Sequence, residues 1–177
     1  MIRYHCTKNE DEGREMTLVF KRSEIIYDVS NYAYVEADVM PADDDHRRHQ
    51  VADIAQDGNI DRVTRVLNAA HAECVEMLYP YAKEEIQDEK RLDDVLKEPD
   101  VYEIRMNVPR HFSLTTLKML ESMVHEYLVC RVLADWMSIT NPAGEAKWER
   151  KYTMLRNKMR SSLVSRIAGM RRKMKPF

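Results

Sequence analysis

The sequence predicts a mainly α-helical fold: a helical bundle with a long antiparallel C-terminal helical hairpin and a small two-stranded β-ribbon or extended arm. Three observations point there. Apolar residues recur at spacings of three and four over most of the chain, the period of a helix with one buried face. Only two short stretches alternate in the manner of a strand. The 177 residues include just four Gly and six Pro, too few for a many-turned sandwich or barrel. With 44% hydrophobic and 33% charged residues the chain can bury a sizeable core, so it reads as one ordered domain.

The elements follow in chain order. Residues 1–15 are polar and read as an N-terminal arm, ahead of a single helical domain over 16–177. Met16, Leu18 and Phe20 alternate with Thr17, Val19 and Lys21, a short strand. Ser23 is the candidate N-cap of a helix over 24–39, with Ile25/Ile26, Val29, Tyr32/Ala33 and Ala37/Met40 as its stripe. Pro41 and the acidic triplet 43–45 end it and start a short helix from His46 to Gln56, which the turn signal Asp57-Gly58-Asn59 stops. Helix 60–79 carries Val63, Val66/Leu67, Ala70, Cys74 and Met77/Leu78, and Pro80 closes it. Residues 83–98 read as a mostly charged helix anchored by Ile86, Leu92, Val95 and Leu96.

Between Pro99 and Pro109, residues 101–108 alternate: Tyr102, Ile104, Met106 and Val108 on one face, Glu103, Arg105 and Asn107 on the other. This is the β-arm, free to pair with 16–21 as a ribbon. Two ribbon strands alone are marginal and need helices or a neighbouring subunit to pack on. Ser113 opens a helix to about residue 140 that is apolar around most of its circumference, as a helix in the middle of a molecule should be. Pro142 sits at the start of the last helix, whose stripe is Trp148, Tyr152, Leu155, Met159, Leu163, Ile167, Met170 and Met174. Segments 113–140 and 143–172 therefore form the hairpin, with 173–177 as a basic tail.

Several function classes lack their residues. Four glycines spread over the chain cannot cradle a phosphate, and no GxSxG, HExxH or EF-hand pattern occurs. Three cysteines without CxxC spacing indicate reduced thiols, and Cys74 on an apolar stripe reads as a buried structural thiol beside His71. Ionisable residues interrupt the longest apolar stretch, so no membrane span is expected. His46, His49 and Asp53 share a helical face and form a candidate metal set, although the polar DDDHRRHQ around them reads equally as a solvated helix start. Glu121 and His125 have ExxxH spacing, not the ExxH of di-iron bundles, and Arg131 and Asp135 are spaced for an intrahelical ion pair. No enzyme activity, catalytic residue or cofactor is expected.

Charge is segregated. Of 28 Lys/Arg, ten lie in 150–177, which has no Asp or Glu; residues 1–149 keep 18 against 30 acids, a balance of −12 facing +10. Such a basic end suits an acidic or polyanionic partner, though a solvated helix face would look alike. One acidic surface lies in the chain itself, at Glu84, Glu85, Asp88, Glu89, Asp93 and Asp94. A basic end meeting that segment of the next copy makes a heterologous contact, the kind that closes rings. The expected state is accordingly a homo-oligomer.

The run YLVCRVLADWMSITNPAGEAKWERKYTMLRNKMRSSLVSR, followed by RRKMKPF, resembles the small helical head–tail connector (adaptor) proteins of tailed bacteriophages and prophages. The likeness covers roughly residues 113–177, with 101–108 in the place of the family's β-arm. It implies a virion structural protein, assembled in the host cytoplasm, that forms a ring between portal and tail with portal and tail proteins as partners. On that reading the basic end supplies the expected partner contacts, Arg166, Arg171, Arg172, Lys173, Lys175 and Phe177, and the β-arm supplies Tyr102, Ile104 and Met106 as ribbon contacts. The alternative is a small helical DNA-binding regulator or packaging accessory that neutralises phosphates non-specifically through 150–177.

Overall fold

The computed structural model describes residues 2–5, 14–41, 45–78, 81–82, 98–109 and 112–164. The alternating stretches pair as expected and gain a third strand. Strand β1 (Ile2–His5) lies antiparallel to β2 (Arg14–Lys21), which lies antiparallel to β3 (Val101–Val108), in the order β1-β2-β3. The polar arm therefore contributes an edge strand, with Ile2 opposite Leu18 and His5 opposite Glu15. In the β2–β3 register Phe20 faces Tyr102, Leu18 faces Ile104 and Met16 faces Met106. All six are buried, so one side of the sheet is a wall of the core. The free edge of β3 is partly covered: the Asn107 N–H donates to the carbonyl of Tyr81 at 2.7 Å.

Helix α1 (Arg22–Val39) leaves β2 without a linker. Its N-cap is Lys21, not Ser23, and no side-chain cap bond forms. The helix can start this early because Arg22 is tied on both sides: its N–H donates to Asp100 O at 3.0 Å and its guanidinium to Thr64 Oγ1 at 2.9 Å. Helix α2 (Asp45–Ala52) ends in a 3-10 turn, Asp53–Ala55, and α3 (Asp57–Met77) begins two residues later. The Asp57-Gly58-Asn59 signal is thus the first turn of α3, not the stop of α2. Extended backbone at Gln56 makes the break, and Asp57 then favours the positive end of the α3 dipole. A side chain at Gly58 would meet nothing within 4 Å, so no close approach demands a glycine there.

The fold's centre is α4 (Leu114–Thr140), a 27-residue helix with buried residues on all sides, among them Leu117, Leu120, Tyr127, Leu128, Cys130 and Leu133. Asn141 alone links it to α5 (Pro142–Val164), with Pro142 in the first turn as the sequence predicts. The approach there is close: a Cβ on Gly144 would sit 3.1 Å from Asn141 Nδ2. The two helices pack as the expected hairpin, with Tyr127 and Tyr152 edge-to-face at 6.0 Å. Trp148, Leu155, Met159 and Leu163 of the α5 stripe are buried. α1 and α3 also pack on α4, so the molecule is a mainly helical bundle carrying one small sheet. The charged segment 83–97 and residues 165–177 lie outside the described residues.

Candidate interaction surface

α5 is fixed from within before it offers anything outward. Lys147 pairs with Glu36 of α1, and Lys151 pairs with Glu126 of α4. Lys151 also stands 4.9 Å over the Tyr32 ring and 5.0 Å over Trp148, while Tyr32 meets Trp148 edge-on at 5.3 Å. Burial works against the Lys151 charge, yet the hydrogen bond to Glu126 and the surrounding groups prevail and its pKa is raised. It therefore stays a cation inside the α1–α4–α5 seam. Arg131 lies 5.4 Å over Tyr152 and 3.5 Å from Glu73, which also accepts the Tyr127 hydroxyl.

Three of the remaining α5 cations face solvent: Arg150, Lys158 and Arg160 are exposed, while Arg156 is half-buried. Arg150 bonds back to its own helix at Ala146 O. Along this side runs a shallow groove of about 650 Å³ whose lining includes Glu149, Arg150, Thr153, Met154, Asn157 and Lys158. This is the described part of the basic end. The residues expected to contact a partner beyond it, Arg166, Arg171, Arg172, Lys173, Lys175 and Phe177, lie outside the described residues, as do Glu84, Glu85, Asp88, Glu89, Asp93 and Asp94 of the acidic segment.

The ribbon contacts need correcting. Tyr102, Ile104 and Met106 are at most 3% exposed and belong to the core, with Asn68 and His71 of α3 set against Tyr102. The Tyr102 hydroxyl donates to Asn68 Oδ1 at 2.7 Å, and burial pushes its pKa up to about 12. One residue on from Tyr102, the Glu103 carbonyl accepts from His71 Nε2 at 3.1 Å. Thr64, Asn68 and His71, spaced i, i+4 and i+7, thus form a polar seam by which α3 grips Arg22 and β3.

The other singled-out groups are also used locally. Among the described residues no group of three His, Cys, Asp or Glu side chains is placed to hold a metal ion. Asp53 accepts from Gln56 Nε2 at 2.6 Å, His46 contacts Gln50, and His49 lies 3.9 Å from Asp45, so His46, His49 and Asp53 do not converge. His125 donates to Asp28 of α1 at 2.7 Å. Arg131 and Asp135 do not pair: Arg131 turns to Glu73, and Asp135 takes Arg62 at 2.9 Å, since α3 brings opposite charges to both. Cys74 and Cys130 are buried free thiols; burial raises both, Cys130 to about 12, which leaves them poor nucleophiles. No helix among the described residues is long and apolar enough to cross a membrane.

One surface escaped the sequence reading. Tyr27, Tyr34, Val35 and Val39 of α1 are 71%, 66%, 52% and 79% exposed. Their spacing of i, i+7, i+8 and i+12 marks a second apolar stripe opposite Ile25, Val29 and Ala33, and that spacing was the available signal. Comparison with protein-family models, with curated proteins and with solved structures finds no match.

Proposed function

We propose that this chain is a virion structural protein, a head–tail connector that assembles as a ring between the portal and tail of a tailed phage. The observation that carries the proposal is the charge layout on a rigid helix. α5 spends Lys147 and Lys151 on its own seam yet still presents Arg150, Lys158 and Arg160 outward. Beyond it the chain adds five more cations and no acid over 165–177. Exposed cations on a helix packed along the core suit docking to an acidic protein surface. The resemblance of 113–177 to connectors supports the same reading, and the role assigned to every residue is contact, not catalysis.

Negative-stain imaging and sedimentation of the purified protein, at low and high salt and with a portal protein present, test it. Closed rings are the expected result. Particles that stay monomeric alone and fail to bind a portal sink the proposal. The exposed cations also favour a second reading, phosphate neutralisation by a DNA-binding accessory. A gel-shift titration separates the two: DNA binding predicts a steep fall in affinity with salt, and a log–log slope near zero removes it.

A further inference from the structure

We propose that the outward face of α1, centred on Tyr34, receives the outward face of α5 of a second copy of this chain. The inference rests on the ring reading and names its contact surfaces. The α1 face holds Tyr27, Asn31, Tyr34, Val35, Asp38 and Val39, with four large apolar side chains more than half exposed. A contiguous exposed patch of that kind marks an interaction site more often than scattered single residues do.

Charge selects the occupant. Of the α1 acids, Asp28 and Glu36 are engaged by His125 and Lys147, which leaves Glu24 and Asp38 outward, and the helix's one cation, Arg22, is turned inward to Thr64. Glu24 and Asp38 touch Lys21 and Arg48, yet keep 60% and 71% of their side-chain surface exposed. The outward side of α5 has the opposite balance, with Arg150, Lys158 and Arg160 against Glu149. That face sets the half-exposed Met154 among Arg150, Asn157 and Lys158, with Glu149 as the one acid of the groove's described lining. The lengths also agree: twelve residues from Tyr27 to Val39 span about 18 Å, and fifteen from Ala146 to Ser161 about 22 Å.

The two faces cannot meet within one chain. α1 already touches α5 through Tyr32 and Glu36, and Glu36 lies on the far side of the helix from Tyr27 and Tyr34. α5 answers with Lys147, Trp148 and Lys151, not with the face that carries Met154. A contact between α1 of one copy and α5 of the next uses two different surfaces. It is therefore heterologous and propagates until it closes.

Two single-cysteine variants test this, Tyr34→Cys and Met154→Cys, each in a Cys6→Ser background. They are oxidised separately and as a mixture, at high protein concentration and low salt. The expected result is disulfide-linked pairs in the mixture and few in either variant alone. Adding Arg150→Glu and Lys158→Glu to the Met154→Cys chain should lower the yield several-fold. Efficient linking of Tyr34→Cys to itself overturns the proposal in favour of a two-fold dimer. Oligomers that sediment normally without linking in the mixture overturn it while leaving the ring intact. A monomer under every condition, with a portal protein present as well as without, overturns it together with the ring, and gives the α1 face to a different protein.

Discussion

The indole Nε1 of Trp136 donates to the carbonyl oxygen of Val51 at 3.0 Å, across a buried contact between α4 and the last turn of α2. The carbonyls of a helix's final turn have no α-helical partner, and this tryptophan satisfies one of them at the end of α2. Trp136→Phe keeps most of the ring's packing and removes the donor, which leaves a buried carbonyl unpaired. A loss of about 1–3 kcal/mol in urea-induced unfolding is expected. An unchanged midpoint would show that the bond contributes nothing.

The contrast between α4 and the outer side of α5 gives a second expectation. Leu128 and Leu133 are fully buried among helices on several sides, so Leu128→Ala or Leu133→Ala should cost about 2–5 kcal/mol. Met154, half exposed over the groove, should tolerate alanine to within about 0.5 kcal/mol in the monomer. Equal losses at Met154 and Leu128 would mean that the α5 face is already covered.

What the sequence made legible follows from periodicity. α4, α5 and β3 were readable because each buries a regular pattern: nearly all round for α4, one stripe for α5, alternate residues for β3. The third strand was not, since Ile2–His5 is only four residues long and is held by backbone pairing to β2. Asp57-Gly58-Asn59 misled because the same residues that end one helix also suit the first turn of another. Tyr102, Ile104 and Met106 were correctly placed on one face of a strand, but the pattern cannot say whether that face meets a partner or the chain's own helices. The ion pairs were the least legible, because their partners lie 58 and 73 positions away in the chain.

Those ion pairs are separable by double-mutant cycles. Arg62 reaches Asp135 through both Nε and a terminal nitrogen at 2.9 Å, on a half-exposed surface. A cycle on Arg62 and Asp135 should give a coupling of about 0.2–1 kcal/mol. The cycle on Arg131 and Asp135, neighbours by helical spacing, should give close to none. Reversed magnitudes would contradict the placement of both side chains.

Alkali should unfold the protein through groups on both sides of the core. An unfolded tyrosine ionises near pH 10, whereas Tyr102 holds its proton to about 12 because burial penalises the phenolate. Burial likewise holds the Cys130 thiol to about 12 against an ordinary value near 9. Over that interval the unfolded chain gives up protons that the folded chain keeps, so unfolding is favoured progressively as pH rises. The raised Lys151 acts in the same direction: its contribution is present below the unfolded lysine's pKa and lost as pH passes the folded one. Stability measured by urea unfolding should therefore be level near neutrality and decline between about pH 9 and 12. Tyr102→Phe should be less stable than the parent at pH 7, by about 1 kcal/mol for the bond to Asn68, and should decline less steeply above pH 10. A parallel decline in both proteins would place the alkaline titration elsewhere.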